Sequence, residues 1–161
     1  MFNSKQFRDL IAFPCLNALD LYSDEAENLL VMIMAHESEG GTYLKQVGGG
    51  GALGIYQMEE NTFKDLWAWL RNEDNPHHHL VVLILGACNL LKVPVAGEMV
   101  GNLYLATCMA RIFFLRIKEP IPRDPLELAM YAKRFWNSNL GKATAKDYLN
   151  AYFRFDERTV H

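Results

Sequence analysis

Between Glu98 and Ile117 the chain is apolar on nearly every side of a helical wheel, apart from Asn102, Arg111 and Arg116. A helix with no polar face has to be covered all round, so it belongs in the middle of a domain with other elements laid around it. At 161 residues the chain fits a single domain over 1–161, with enough apolar content to bury a proper core. No internal repeat or low-complexity tract divides it.

Local signals place the surrounding helices. Phe7, Leu10, Ile11 and Pro14 follow one helical face, and Pro14 is expected to bend or end that helix near Phe13, with Leu16 to Leu21 completing it. Ser23 is an N-cap candidate, with Asp24 and Glu25 in the first turn where the helix dipole favours negative charge. That helix should run to about Ser38, where Gly40-Gly41 stop it. Asn61 or Thr62 caps a helix striped by Phe63, Leu66, Trp67 and Leu70. Trp69 falls off the stripe, as a half-buried surface aromatic or a sugar-stacking platform. Asn75-Pro76 opens a further helix through the apolar stretch His79 to Leu91, expected in the core. Lys118 to Pro125, with three prolines, is a loop. Asp124-Pro125-Leu126-Glu127 starts a helix reaching Trp136, Gly141 lies in the loop after it, and Thr144 caps a last helix whose Tyr148, Leu149, Tyr152 and Phe153 dock on the core. The fold expected is mainly α and compact, with roughly six to eight helices and at most a small β-hairpin near 47–57. Its core is predicted from Leu29, Ile33, Leu53, Leu66, Leu83, Leu105, Met109, Phe113, Met130 and Tyr148.

Charge and composition exclude several functions. Lys and Arg total 16 against 19 Asp and Glu. With no basic stripe, nucleic acid is not an expected partner, since its binding is driven by cationic side chains on phosphate. Cys15, Cys88 and Cys108 lack metal-ligand spacing and sit among apolar neighbours, as reduced core thiols would. His77, His78 and His79 splay around a helix start instead of converging on a metal. Gly48 to Gly51 are followed by no Gly-Lys-Ser/Thr, so a mobile loop or tight hairpin is expected there and a phosphate cradle is not. No cofactor is called for. The stretch to Leu91 is interrupted by Gly86 and Asn89 and falls short of the ~20 residues that span a bilayer, so no membrane insertion is expected. The first residues lack the features of a secretory signal, and synthesis in a cytoplasm is expected.

The chemistry concentrates at Glu37. Seven apolar residues, Leu29 to Ala35, precede it, so the carboxylate ends a buried helix. Apolar surroundings and the negative end of the helix dipole both disfavour its charged form, and its pKa should rise. A carboxylic acid still protonated near neutral pH can give a proton to a leaving oxygen, the first requirement for cleaving a glycosidic bond.

Three segments stand in line with this: Glu37-Ser38, then Gly54-x-x-Gln57, then Trp136-Asn137. They resemble the three signatures of lytic transglycosylases and goose-type lysozymes. The likeness is stronger to short bacteriophage-encoded members, in the stretches Gly51-Ala-Leu-Gly-Ile-Tyr-Gln-Met58 and Phe135-Trp-Asn-Ser-Asn-Leu-Gly141. It covers most of 24–155, with its motifs at 37–67 and 131–142. The resemblance implies a lysozyme-like helical fold with a cleft where the three segments converge. It further implies Glu37 as the sole catalytic acid, a sugar groove lined by the Gly54 to Met58 segment, and closure of the site by the aromatic-Asn pair. Ser38 would order the helix end or the acid. Gln57 would pair with sugar hydroxyls or an N-acetyl carbonyl, or else hold the loop. Tyr56 stands where relatives often have Met, and Met58 follows the Gln, so an aromatic-apolar wall is kept. Trp136 replaces a Tyr whose hydroxyl reaches the acid in relatives. Indole can donate but not accept, which makes Tyr131 the candidate substitute. Asn137 either binds sugar or ends the helix.

Ordinary glycosidases use two carboxylates roughly 5 to 9.5 Å apart. Here Glu39 is expected to turn away on the loop, and Glu59 and Glu60 to be surface acids. One acid suffices if the N-acetyl group of muramic acid stabilises the cation-like centre and its C6 hydroxyl closes a 1,6-anhydro ring. The expected partner is thus the glycan strand of peptidoglycan, and the expected activity is that of a lytic transglycosylase. The alternatives are a hydrolytic muramidase, or a wall-binding or virion structural protein of the same fold with weak turnover. A virion or a holin-type pore would have to carry the protein to the wall.

Overall fold

The computed structural model describes residues 1–137 and 142–156. Ser138 to Gly141, the tail of the third motif, lie outside the described residues. The N-terminal helix α1 runs through Ser4–Phe7, a π-helical turn at Arg8–Ala12, and Phe13–Ala18. It does not end at Pro14. The proline has no N–H for the carbonyl one turn back, and the wider π turn directly before it takes up that break in the ladder.

Helix α2, Asp24–Glu37, starts where its cap predicts, with Ser23 Oγ accepting the Ala26 N–H at 3.1 Å. A long irregular segment follows. It holds two isolated antiparallel bridges, Lys45 with Leu53 and Leu53 with Met58, and no strand. Helix α3, Glu60–Arg71, begins slightly earlier than Asn61 or Thr62 would have it, and Glu59 at its N-cap makes no capping bond. The Asn75-Pro76 pair forms a turn, with the His77 N–H on Asn75 Oδ1 at 2.9 Å, and helix α4 begins only at Leu80–Ala87. A 3-10 turn, Ala96–Val100, leads to α5, Leu103–Leu115. Asn102, an apparent interruption of the apolar stretch, is the N-cap of α5 and accepts the Leu105 N–H at 3.0 Å. Helices α6, Pro125–Phe135, and α7, Ala145–Phe155, open on Asp124 and Thr144 as their caps predict.

The architecture is all-helical, in line with the expectation. Residues Leu105 to Ala110 of α5 are buried on consecutive positions, as a helix without a polar face requires. Helix α2 packs against α7, α6 and α5, and α6 packs against α7. Six of the predicted core residues are buried: Leu29, Ile33, Leu66, Leu105, Met109 and Tyr148. Leu53 and Phe113 are half-buried against the core. Leu83 and Met130 are exposed, at 37% and 58%. Helix α4 is therefore not wholly a core helix: Leu80 and Ile84, one turn apart, are buried, Val81 and Leu85 pack partly against the core, and Val82 and Leu83 are exposed. Phe153 is exposed as well, and the inward face of α7 is Tyr148, Ala151, Tyr152 and Phe155. The three cysteines are buried and free.

One polar cluster ties the chain ends to α2. The buried Arg8 guanidinium donates to Glu27 Oε2 at 2.8 Å, to Asp156 Oδ2 at 2.6 Å and to the Tyr152 hydroxyl at 3.2 Å. Removing one partner from such a buried pair costs about 3–5 kcal/mol, because the other charge stays buried alone. The cluster thus holds α1 and the end of α7 against the start of α2, and so steadies the helix that carries Glu37. Among the described residues no helix is long and apolar enough to cross a membrane.

Candidate active site

The end of α2 is built by its own residues. Ser38 Oγ donates to the Met34 carbonyl and accepts the Gly41 N–H, both at 3.0 Å. Gly40 and Gly41 then turn the chain through positive φ of 64° and 83°. Space as well as φ demands glycine at position 41, where a Cβ would lie 2.3 Å from the Phe2 ring. Ser38 is wholly buried in this role. It therefore orders the helix end and does not touch a ligand. Glu37 is half-buried at the mouth.

The central motif splits its residues between core and groove. Leu53 and Met58 exchange two backbone hydrogen bonds at 3.0 Å, closing a tight turn over Gly54 to Gln57. Gly54 sits at φ +72°, and a Cβ there would meet the Met99 carbonyl oxygen at 2.8 Å. Its function is close backbone approach to the core and not to a sugar. Tyr56 and Met58 are buried, and the Tyr56 hydroxyl meets Thr107 Oγ1 at 3.3 Å. Neither lines the groove, because the turn buries both, with Tyr56 set against α5. Gln57 alone points outward, from a left-handed backbone at φ 51°. Its Nε2 donates to the Gly54 carbonyl at 2.8 Å, which leaves the amide oxygen without a protein partner among the described residues. Such strain in a non-glycine residue persists only where surrounding structure enforces it, and it clusters at functional sites.

The third motif ends α6. Trp136 packs edge-on to Phe113, ring centroids 4.9 Å apart, and lies over Phe114 at 5.6 Å. Lys133 Nζ donates to the Asn137 backbone oxygen at 2.9 Å and to Oδ1 at 3.0 Å. Tyr131 does not substitute for the expected tyrosine. Its hydroxyl donates to the Glu119 carbonyl at 3.1 Å, in a separate depression shared with Pro122 and Phe135.

The tyrosine that reaches the acid is Tyr148, on α7, whose hydroxyl donates to Glu37 Oε1. Its place on the apolar stripe of α7 marked it only as core. Being a buried phenol on that stripe was the available signal, since such a hydroxyl needs a partner.

Glu37, Gln57, Trp136 and Asn137 share one groove of about 560 Å³. Tyr43, Gln46 and Val47 from the glycine-rich segment form its other side. Two carboxylates that the sequence put elsewhere, Glu39 and Glu59, line it too. Glu39 is brought round by its own left-handed backbone, φ 49°, at the helix end.

Burial raises the Glu37 pKa above the ordinary carboxylate value, while the hydrogen bonds of Tyr148 and Asn137 and the charge of Lys133 pull it back. The two influences favour opposite forms of the group: burial favours the protonated carboxyl, and the three polar neighbours stabilise the carboxylate. Burial, then the adjacent carboxylate, pushes the Tyr148 phenol well up, so it remains a donor throughout. Among the described residues no cluster of His, Cys, Asp and Glu could hold a metal ion. Comparison with protein-family models, with curated proteins and with solved structures finds no match to this chain.

Proposed function

We propose that this chain cleaves the β-1,4 bond between N-acetylmuramic acid and N-acetylglucosamine in peptidoglycan, with Glu37 as single general acid and base. The observation carrying this reading is a half-buried carboxyl, raised in pKa and held by a tyrosine hydroxyl, at the wall of an open groove. Glu37 protonates the glycosidic oxygen; the N-acetyl group of the muramic residue supports the cation-like centre; Glu37 then takes the proton of the C6 hydroxyl as the 1,6-anhydro ring closes. Gln57 offers its amide oxygen to a sugar donor in the same groove. The reading is that of a lytic transglycosylase acting on the bacterial wall, with virion components as its carriers and no nucleic-acid partner.

A second reading, hydrolysis by a muramidase, is favoured by Glu39 and Glu59 on the same groove, either of which could activate water. A zymogram on purified sacculi tests the chemistry. Clearing by wild type and none by Glu37→Gln supports the enzyme; clearing by both rejects the assignment of Glu37. Absence of clearing by wild type points to a wall-binding or virion structural protein. Mass spectrometry of the released fragments separates anhydro from reducing ends, and the latter moves the reading to the hydrolase.

A further inference from the structure

Beside the groove lies a second, larger depression of about 720 Å³ between the end of α2 and one face of α7. The two share His36 and Glu39 as common walls. Asp147, Asn150, Ala151 and Arg154 line it at the spacing of a single helical face. Ala35 and Ala151 line it where the two helices meet, and small side chains there leave room between them.

The lining carries both signs of charge. Arg154 forms no hydrogen bond or ion pair among the described residues, although its charge acts on His36. Asp147 spends Oδ2 on the Thr144 backbone and hydroxyl, and the Glu39 carboxylate carries no bond among the described residues. A neutral sugar calls for none of these charges. An unpaired guanidinium facing a cavity matches a planar carboxylate, which it can hold with two parallel N–H donors.

We infer that this depression is the subsite for the peptide stem of the substrate, a short chain bearing free carboxylates and an amine. The inference rests on the proposed reading of the groove. The muramic ring whose anomeric carbon lies at Glu37 carries its peptide on the same ring, two carbons away. That peptide must leave the groove next to Glu37, and the Glu39 and His36 side is where a charged cavity receives it. Arg154 binds a stem carboxylate, Glu39 and Asp147 face the amine, and Asn150 serves the peptide backbone.

Wild type and Arg154→Gln are compared on peptide-bearing glycan strands and on the same strands stripped of peptide by an amidase. Arg154 lies on the surface of α7, so the substitution leaves the fold intact. KM for peptide-bearing strands should rise about tenfold in the variant, the worth of one charge-assisted contact, with kcat held and naked strands cleaved equally. Equal KM on both polymers overturns the inference and leaves the reading of the groove standing. If wild type cleaves neither polymer, that reading fails, and titration of a free stem peptide into the protein followed by NMR decides on the cavity. Saturable shifts at α7 that Arg154→Gln abolishes uphold it, and their absence rejects it.

Discussion

Helices α2 and α4 carry the two unbroken apolar runs, Leu29 to Ala35 and Leu80 to Leu85, and they meet opposite fates. Every residue of the first run is buried. In the second, only Leu80 and Ile84 are, and Val82 is 72% exposed. Hydrophobicity alone does not explain the difference. Helix α2 is surrounded by α1, α5, α6 and α7, whereas α4 packs one side on α1, α3 and α5 and leaves Val82 and Leu83 to solvent. What the comparison teaches is that a run without period states how much surface wants cover, and the neighbours decide how much receives it. The consequence is functional, because full cover of α2 is what makes Glu37 at its end a partly desolvated acid.

The contrast can be broken most sharply through Glu37. Glu37→Gln should lower wall cleavage on the order of 10³-fold, as loss of an acid catalyst does. Val82→Ser and Leu83→Ser on α4 should leave the rate of sacculus digestion unchanged. A comparable loss in the α4 variants would mean that both helices serve the site.

Stability gives the next largest effect. Ile33→Ala in α2 should cost about 2–5 kcal/mol in urea unfolding, the range for a truncated core side chain. Val82→Ala should stay within about 0.5 kcal/mol, as exposed substitutions do. If Val82→Ala costs as much as Ile33→Ala, the outer face of α4 is covered in solution.

Two pH effects sharpen the account of Glu37. The Tyr148 hydroxyl lowers the acid's pKa. Tyr148→Phe should therefore move the alkaline limb of the kcat/KM profile to higher pH; a downward move would contradict the hydrogen bond. Because the folded pKa of Glu37 is raised above 4.5, the folded state holds this proton more tightly than the unfolded one. Its contribution to stability is full below the ordinary carboxylate pKa and is lost as pH rises through the folded value. Glu37→Gln, which cannot ionise, should gain stability relative to wild type as pH rises across that window. Unfolding curves at several pH values check the sign, and a constant difference would remove the linkage.

Parts of the fold were legible because they are local. Ser23, Asp124 and Thr144 cap their helices within three residues of themselves, so their hydrogen bonds depend on little else. Of the two readings of Pro14, an end of the helix is excluded, because a π turn offers a continuation that residue pattern does not announce. The motif Gly54 to Met58 was legible as part of the candidate site and misread in detail. Its turn sends Tyr56 and Met58 inward and Gln57 outward, and that alternation belongs to the backbone of the turn.

By itself the sequence determined the helical class, the helix starts at Ser23, Asp124 and Thr144, the glycine-dependent stop after Glu37, and a central helix in need of cover on all sides. These follow from steric and hydrogen-bonding preferences that act over a few residues. The tertiary structure decided which face of α4 meets solvent, that Tyr148 and not Tyr131 reaches Glu37, and that Glu39 and Glu59 share its groove. The Tyr148 bond joins residues 111 apart in the chain. Such a pairing is fixed only when helices pack and side-chain directions become relative to one another, a quantity that no local preference contains.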